Sequence, residues 1–279
     1  VRRLIGVLRS AGRRFSADGC AFLAQAIAFN ALFAVFPLAI LAIAGLAFVY
    51  GSTEGQNRAI ILFTTIAPGI KDILTENLHQ VVNLRSVWGI ISLVTLIWSG
   101  KNIFQALAYA LNRAIGVPQG RRFFDDILVS IVMLPVLAIL LLVATALPVL
   151  IFVGVHYSGF PRSALLSQTV GYGTGFLLVF AISVVLYTYL PNHRVRPSFA
   201  LPGAIFTAVA WEAAQVAFGI YTAHVNFYHV YGAVATVAIL LLWLYYMGII
   251  FLFGAELCAE WSKQERSSHE TGLETLRTA

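Results

Sequence analysis

Six long runs of mostly apolar residues punctuate the chain, at approximately 21-50, 87-113, 126-154, 168-190, 200-223 and 231-259. A helix rises 1.5 Å per residue, so about 20 apolar residues cross a ~30 Å hydrocarbon core. The pattern therefore predicts an all-α polytopic membrane protein built on a bundle of six transmembrane helices. Several runs exceed the minimum length, and Pro37, Pro135 and Pro148 fall inside them, which predicts tilts and kinks. The first run is too long for the apolar core of a signal peptide, so the first helix is expected to be retained.

Two shorter stretches carry a one-sided pattern. In "RRLIGVLRSAGRRF", Leu4, Val7, Leu8, Ala11 and Phe15 share one side of a helical wheel and the arginines the other. Residues 1-17 thus predict a basic helix lying on the cytoplasmic membrane surface, with a signalling or docking helix as the alternative. Ser16 and Asp18 are candidate N-caps for the first span. Between spans one and two, Ile70, Ile73, Leu74, Leu78, Val81 and Val82 recur at helical spacing, apart from Lys71, Asp72, Glu76 and His79. This predicts an external amphipathic helix, either a plug on the outer ends of the bundle or a lid over a cavity. Residues 18-261 are then the transmembrane domain, and 262-279 a cytoplasmic tail expected to be disordered.

Composition agrees with a lipid solvent. Only 11% of the residues are charged, against roughly 25% in a soluble domain, and mean hydropathy is +0.85. Lys and Arg concentrate in alternate connections: Arg2, Arg3, Arg9, Arg13 and Arg14 before the first span, Arg113, Arg121 and Arg122 after the second, Arg194 and Arg196 after the fourth, and Lys263, Arg266 and Arg277 in the tail. Both termini are therefore expected in the cytoplasm of a bacterial inner-membrane protein. The net charge of +6 is accounted for by anionic lipid headgroups as partners, without nucleic acid.

Soluble-enzyme chemistry is not indicated. Walker A, GxGxxG, GxSxG and HExxH patterns do not occur. Cys20 and Cys258 form no CxxC, which supports neither a disulfide nor zinc. His224 and His229 flank "HVNFYH", a spacing a metal uses only with ligands from elsewhere, and interfacial histidines are the commoner case. No metal and no cofactor are expected.

The polar residues inside the spans carry the functional signal, because an ionisable group at membrane depth is costly and faces protein or water. Lys101 falls ~20 Å along the second span and Glu212 ~18 Å into the fifth, which makes them natural partners of opposite charge. Asn30, Asn102, Gln105 and Gln215 enter at similar depth, with Gln25 nearer the first span's start. Two readings stand: interhelical hydrogen bonds that hold the bundle, or a polar cavity in which Lys101 attracts an anionic headgroup or solute. Near the end of the last span, Glu256 and Glu260 share a helix face, and Glu256 is expected to pair with Arg113, or with Arg121 and Arg122, as a clasp or as a gate. Gly45, Gly171, Gly173, Gly175, Gly203, Gly248 and Gly254 mark close helix approach.

Four stretches in order carry a family resemblance: "AQAIAFNALFAVFPL", "WSGKNIFQALAYALNRAIGV", "YLPNHRVRPSFALPGAIFTAVAWE" and "YGAVATVAILLLWLYYMGIIFLFGAELCAEW". Over approximately 15-262 the sequence resembles the YihY/BrkB family of six-span bacterial inner-membrane proteins. By similarity Pro37, Trp98, Asn112, Pro191, Gly203, Tyr231, Gly232, Trp243, Gly254, Ala255 and Glu256 are the family-pattern positions. Cys258 stands where the resemblance implies asparagine. The resemblance implies the architecture more firmly than an activity; a ribonuclease label carried by members conflicts with short, basic connections that hold no cluster of carboxylates for metal or acid-base hydrolysis. Together the residues lead to an expectation of a transporter or lipid-translocating protein without its own ATP site. The alternative is a membrane scaffold for an envelope-biogenesis partner, and a homo-oligomer is compatible with either.

Overall fold

The computed structural model describes residues 2–50, 85–117, part of 128–143, 164–193, 195–224 and 228–278. Among them the chain is helical: α1 (Arg2–Ala17), α2 (Cys20–Tyr50), α3 (Arg85–Ile115), α4 (Ala164–Tyr189), α5 (Pro197–His224) and α6 (Tyr228–Thr278). Described positions between 128 and 143, Pro135 included, are helical too. The amphipathic stretch 70–82 and the connection holding Arg121 and Arg122 lie outside the described residues.

Three stretches, Tyr172–Tyr189, Pro197–Tyr221 and Val237–Glu265, are long and apolar enough to cross a membrane by length and composition. Their outward positions carry Leu177, Ile205, Val209, Val216 and Ile220 in exposed positions. Water would not tolerate so much apolar surface on a monomer, whereas lipid is the matching solvent.

Helix ends follow local chemistry. Gly19 and Gly116 adopt φ of +68° and +74°, the left-handed region that glycine enters without a Cβ penalty. Around Gly116, Val117 N–H donates to the Asn112 carbonyl at 2.9 Å and Gly116 N–H to Arg113 at 3.2 Å, which is a Schellman stop for α3. At Gly19 the chain bends by 69° between Ile5–Ala17 and Cys20–Val35, separating α1 from α2. Pro197 opens α5 at the position where a missing N–H is harmless. The segment after 262, expected to be disordered, instead continues α6 to Thr278. "SKQERSSHETGLETLR" contains Lys, Gln, Glu, Arg and Leu, all good helix formers, and a preformed helix removes the nucleation cost.

The chain divides into two compact units that interleave in sequence. One comprises 1–22, 107–214 and 249–279, and the other 23–106 and 215–248. In the first, Val7 and Ala11 of α1 bury against Leu257 of α6, with Phe206 and Phe253 packed around them. The Phe15 and Phe253 rings lie 5.9 Å apart, and Phe206 and Phe253 5.1 Å. In α5 and α6, a Cβ on Gly203 would collide with the Gly254 carbonyl and the Cys258 sulfur, so both backbones approach closely only because both residues are glycine. Tyr187 of α4 closes the same contact: its hydroxyl donates to the Phe251 carbonyl at 2.6 Å and lies 2.8 Å from Thr207 Oγ1. With that proton committed, Thr207 donates to Tyr187 or to the Gly203 carbonyl 2.9 Å away. In the second unit, Trp243 packs its ring 4.6 Å from that of Phe218, and Gly248 meets Ala24 closely.

Candidate functional site

A polar cluster forms where α1, α3 and α6 meet in the first unit. Glu256 is fully buried at 0% exposure. Its Oε2 lies 3.3 Å from Arg14 Nε, and its Oε1 accepts a hydrogen bond from the Cys20 thiol at 3.5 Å. One turn along α6, Glu260 Oε1 accepts from Arg14 Nη1 at 2.9 Å, as the shared face of the two glutamates requires. The remaining nitrogen, Arg14 Nη2, donates to the Ala114 carbonyl at 3.1 Å. Ala114 sits in the last turn of α3, where carbonyls lack intrahelical partners and the macrodipole is negative. A single guanidinium thus joins three helices, using the planar fork that lysine lacks.

This arrangement differs from the pairing expected for Glu256. Arg113 is not its partner: Arg113 Nε reaches Asp18 Oδ1 at 3.7 Å, half-exposed. Asp18 also lies 3.9 Å from Arg14. The physical reason is the direction of α3, whose last turn presents a carbonyl to the cluster while Arg113 points toward the α1–α2 turn. The helical wheel places Arg14 with the other arginines opposite the apolar side of α1, yet it borders the strip of buried Val7 and Ala11. The signal that would have found it is the i, i+3 spacing of Ala11 and Arg14, which places the arginine at the margin of the apolar face.

A second anchor sits close by. Asn112 is buried and its Oδ1 accepts the Asn192 backbone N–H at 2.8 Å. The amide replaces a missing backbone partner in the turn between α4 and α5, where Pro191 is also buried. Cys258, at the position where the resemblance implies asparagine, is buried with its thiol 3.5 Å from the Ala200 carbonyl. It fills the space beside Gly203 as a small, weakly polar side chain.

The predicted membrane-depth residues divide between the units. Glu212 belongs to the first, and there both carboxylate oxygens are inaccessible and accept no hydrogen bond among the described residues. The carboxylate lies against Gly175 of α4, where a Cβ would stand 2.8 Å from Glu212 Oε1. Gly175 therefore leaves room for a side chain as well as for a helix. Lys101, Asn102, Gln105, Asn30 and Gln215 belong to the second unit. Val94, Trp98, Lys101 and Gln105 recur at spacings of four, three and four along α3, so they share one face, with Asn102 beside them. Trp98 is 62% exposed on that face, and Lys101, Asn102 and Gln105 are half-buried. Asn30 does not extend away from its helix: its Nδ2 donates to the Ala26 carbonyl at 2.8 Å, one turn back. Such back-bonding satisfies an amide in an apolar span locally, the cheapest partner available to it.

Comparison with known proteins places this architecture in context. The family model described as "Virulence factor BrkB" matches residues 11–276. The ribonuclease-like protein YfkH of Bacillus subtilis (strain 168) is 28% identical over 88% of this chain and 90% of its own length. A UPF0761 membrane protein of Alkalilimnicola ehrlichii is 26% identical over 95% of this chain and 61% of its own. A UPF0761 membrane protein of Legionella pneumophila (strain Corby) is 30% identical over 88% and 59%. The chain thus spans about three fifths of these two longer relatives. No solved structure matches it.

Proposed function

The chain belongs to the BrkB family of membrane proteins, and from that premise we propose that it is a transporter or lipid-translocating protein for an anionic or amphipathic envelope substrate, not driven by ATP on its own. The observation that carries the reading is the α3 face: a lysine with two amides, half-buried rather than sealed, one turn from the exposed Trp98 ring. A cation beside amide donors suits a phosphate or carboxylate, and the indole suits the apolar body of an amphipathic molecule. In this mechanism Lys101, Asn102 and Gln105 hold the anionic group, and Asn30 and Gln215 of the same unit line its approach. The protein resides in the bacterial inner membrane with both termini in the cytoplasm, as the distribution of Lys and Arg directs.

The Arg14 cluster acts in this reading as a clasp, not as a gate, because one guanidinium answers two carboxylates and a helix C-terminus at once. No hydrolytic step is included: Asp18, Glu256 and Glu260, the carboxylates that the fold gathers, are each ion-paired to an arginine. A second reading, a membrane scaffold for an envelope partner, draws on α6, which continues as helix past the end of its apolar stretch at Glu265.

Purified protein in liposomes without ATP is expected to translocate a labelled anionic phospholipid or to take up an organic anion. Lys101→Ala, folded as judged by its melting curve, is expected to slow that movement about tenfold, the worth of one charge-assisted contact of ~1.5 kcal/mol. A variant as fast as the parent removes Lys101 from the mechanism. A parent that moves neither probe, while retaining an envelope protein from solubilised membranes, favours the scaffold.

A further inference from the structure

Helix α1 divides its surface three ways. Val7, Ala11 and Phe15 face α6 and α5 and are covered there. Ile5 and Leu8, adjoining that strip, are 58% and 44% exposed. Arg9 and Arg13, one turn apart, follow Ile5 and Leu8 around the helix and are exposed. Neither arginine makes an ion pair or hydrogen bond among the described residues, and α1 contains no acidic residue that would answer them. By contrast Arg14, on the opposite margin, is fully engaged. The apolar surface therefore passes without a break from the protein core to an outward edge, and a pair of unanswered cations borders that edge.

We propose that this outward face is an anionic-phospholipid site: Ile5 and Leu8 enter the acyl boundary, and Arg9 and Arg13 bind the phosphodiester of one or two lipids. Several features select a lipid surface as the occupant. At 16 residues α1 is too short and too basic to span. The 69° bend at Asp18–Gly19 turns it away from the α2 direction, which orients it along the interface if α2 crosses. The Arg14 clasp and the Val7–Leu257 contact hold it there, so the face is preorganised and little ordering entropy opposes binding. Guanidinium pairs recognise phosphate bidentately, and each basic residue near an anionic surface is worth about 1 kcal/mol. This inference needs only membrane residence and is independent of transport.

The test compares melting curves in nanodiscs of phosphatidylcholine alone and with rising phosphatidylglycerol. The parent chain is expected to gain stability with the anionic lipid. Arg9→Gln/Arg13→Gln is expected to need roughly 30-fold more of it for the same gain, two residues at about 1 kcal/mol each, while melting like the parent in phosphatidylcholine. Leu8→Ser is expected to lower the gain as well, since insertion is lost. An undiminished gain in the double variant overturns the proposal. So does a lowered melting point of that variant in phosphatidylcholine, which would assign the arginines to the protein's own structure. Glycerol phosphate added to phosphatidylcholine nanodiscs is expected to have no effect; if it reproduces the gain, the site is one for free anions and the lipid assignment fails.

Discussion

At the scale of single residues, charge is decided by company. Arg14 and Glu256 are the most deeply buried ion pair among the described residues, because Glu256 is wholly withdrawn from solvent and its Oε2 faces Arg14 at 3.3 Å. Removing one partner of a buried pair leaves an uncompensated charge, which costs ~3–5 kcal/mol, whereas replacing both by apolar residues is often close to neutral. Arg14→Ala is therefore expected to destabilise the protein by about that amount in denaturant unfolding in detergent, and Arg14→Met/Glu256→Met to recover most of the loss. If the double variant is no more stable than the single one, the partners of Arg14 at Glu260 and Ala114 matter more than Glu256. That Glu256 would be paired was legible from its depth in an apolar run; its partner was not. Pairing partners depend on which helix ends converge, and no local pattern encodes that.

At the scale of elements, packing between α4, α5 and α6 separates glycines that look alike in sequence. A methyl group on Gly254 would run into the Thr207 and Tyr187 hydroxyls and press on the Gly203 carbonyl. A Cβ on Gly173 would meet nothing within 4 Å among the described residues. Gly254→Ala is accordingly expected to cost ~1–3 kcal/mol as an overpacked contact, and Gly173→Ala to stabilise by ~0.5–1 kcal/mol, because alanine loses less backbone entropy in a helix. Equal effects at the two positions would show that the α5–α6 contact is not the tight one. The expectation of close approach holds for Gly254 and, among the described residues, not for Gly173. Gly175 is a third case, serving the Glu212 carboxylate. Composition shows that small residues are present; only the facing atoms show what fills the space.

At the scale of the whole molecule, the apolar runs and the described helices agree closely: the run at 21-50 is α2 at Cys20–Tyr50, and 87-113 is α3 at Arg85–Ile115. Runs this long admit little else, because every backbone amide in lipid must find a partner within its own segment. Of the polar residues expected at one depth, Glu212 belongs to the first compact unit, and Lys101, Asn102, Gln105, Asn30 and Gln215 to the second. Orientation belongs to this scale too. Reporter fusions at the two ends are expected to be active only in cytoplasmic form, following the basic connections; a periplasmic signal from either end would overturn the predicted orientation.

The pattern along the chain by itself determined that lipid is the solvent, where the helices run, that α1 is amphipathic and that Lys101 and Glu212 stand in apolar surroundings. These are properties of segments, dictated by hydrophobic length and period. Tertiary structure alone decided that Arg14 pairs with Glu256 and Glu260, that Asn30 bonds back to its own helix, that Gly175 seats a carboxylate, and that Arg9 and Arg13 find no ion pair among the described residues. Those outcomes depend on which faces meet. In a membrane protein faces meet through shape and hydrogen bonding, because lipid is as apolar as the helices and does not drive them together.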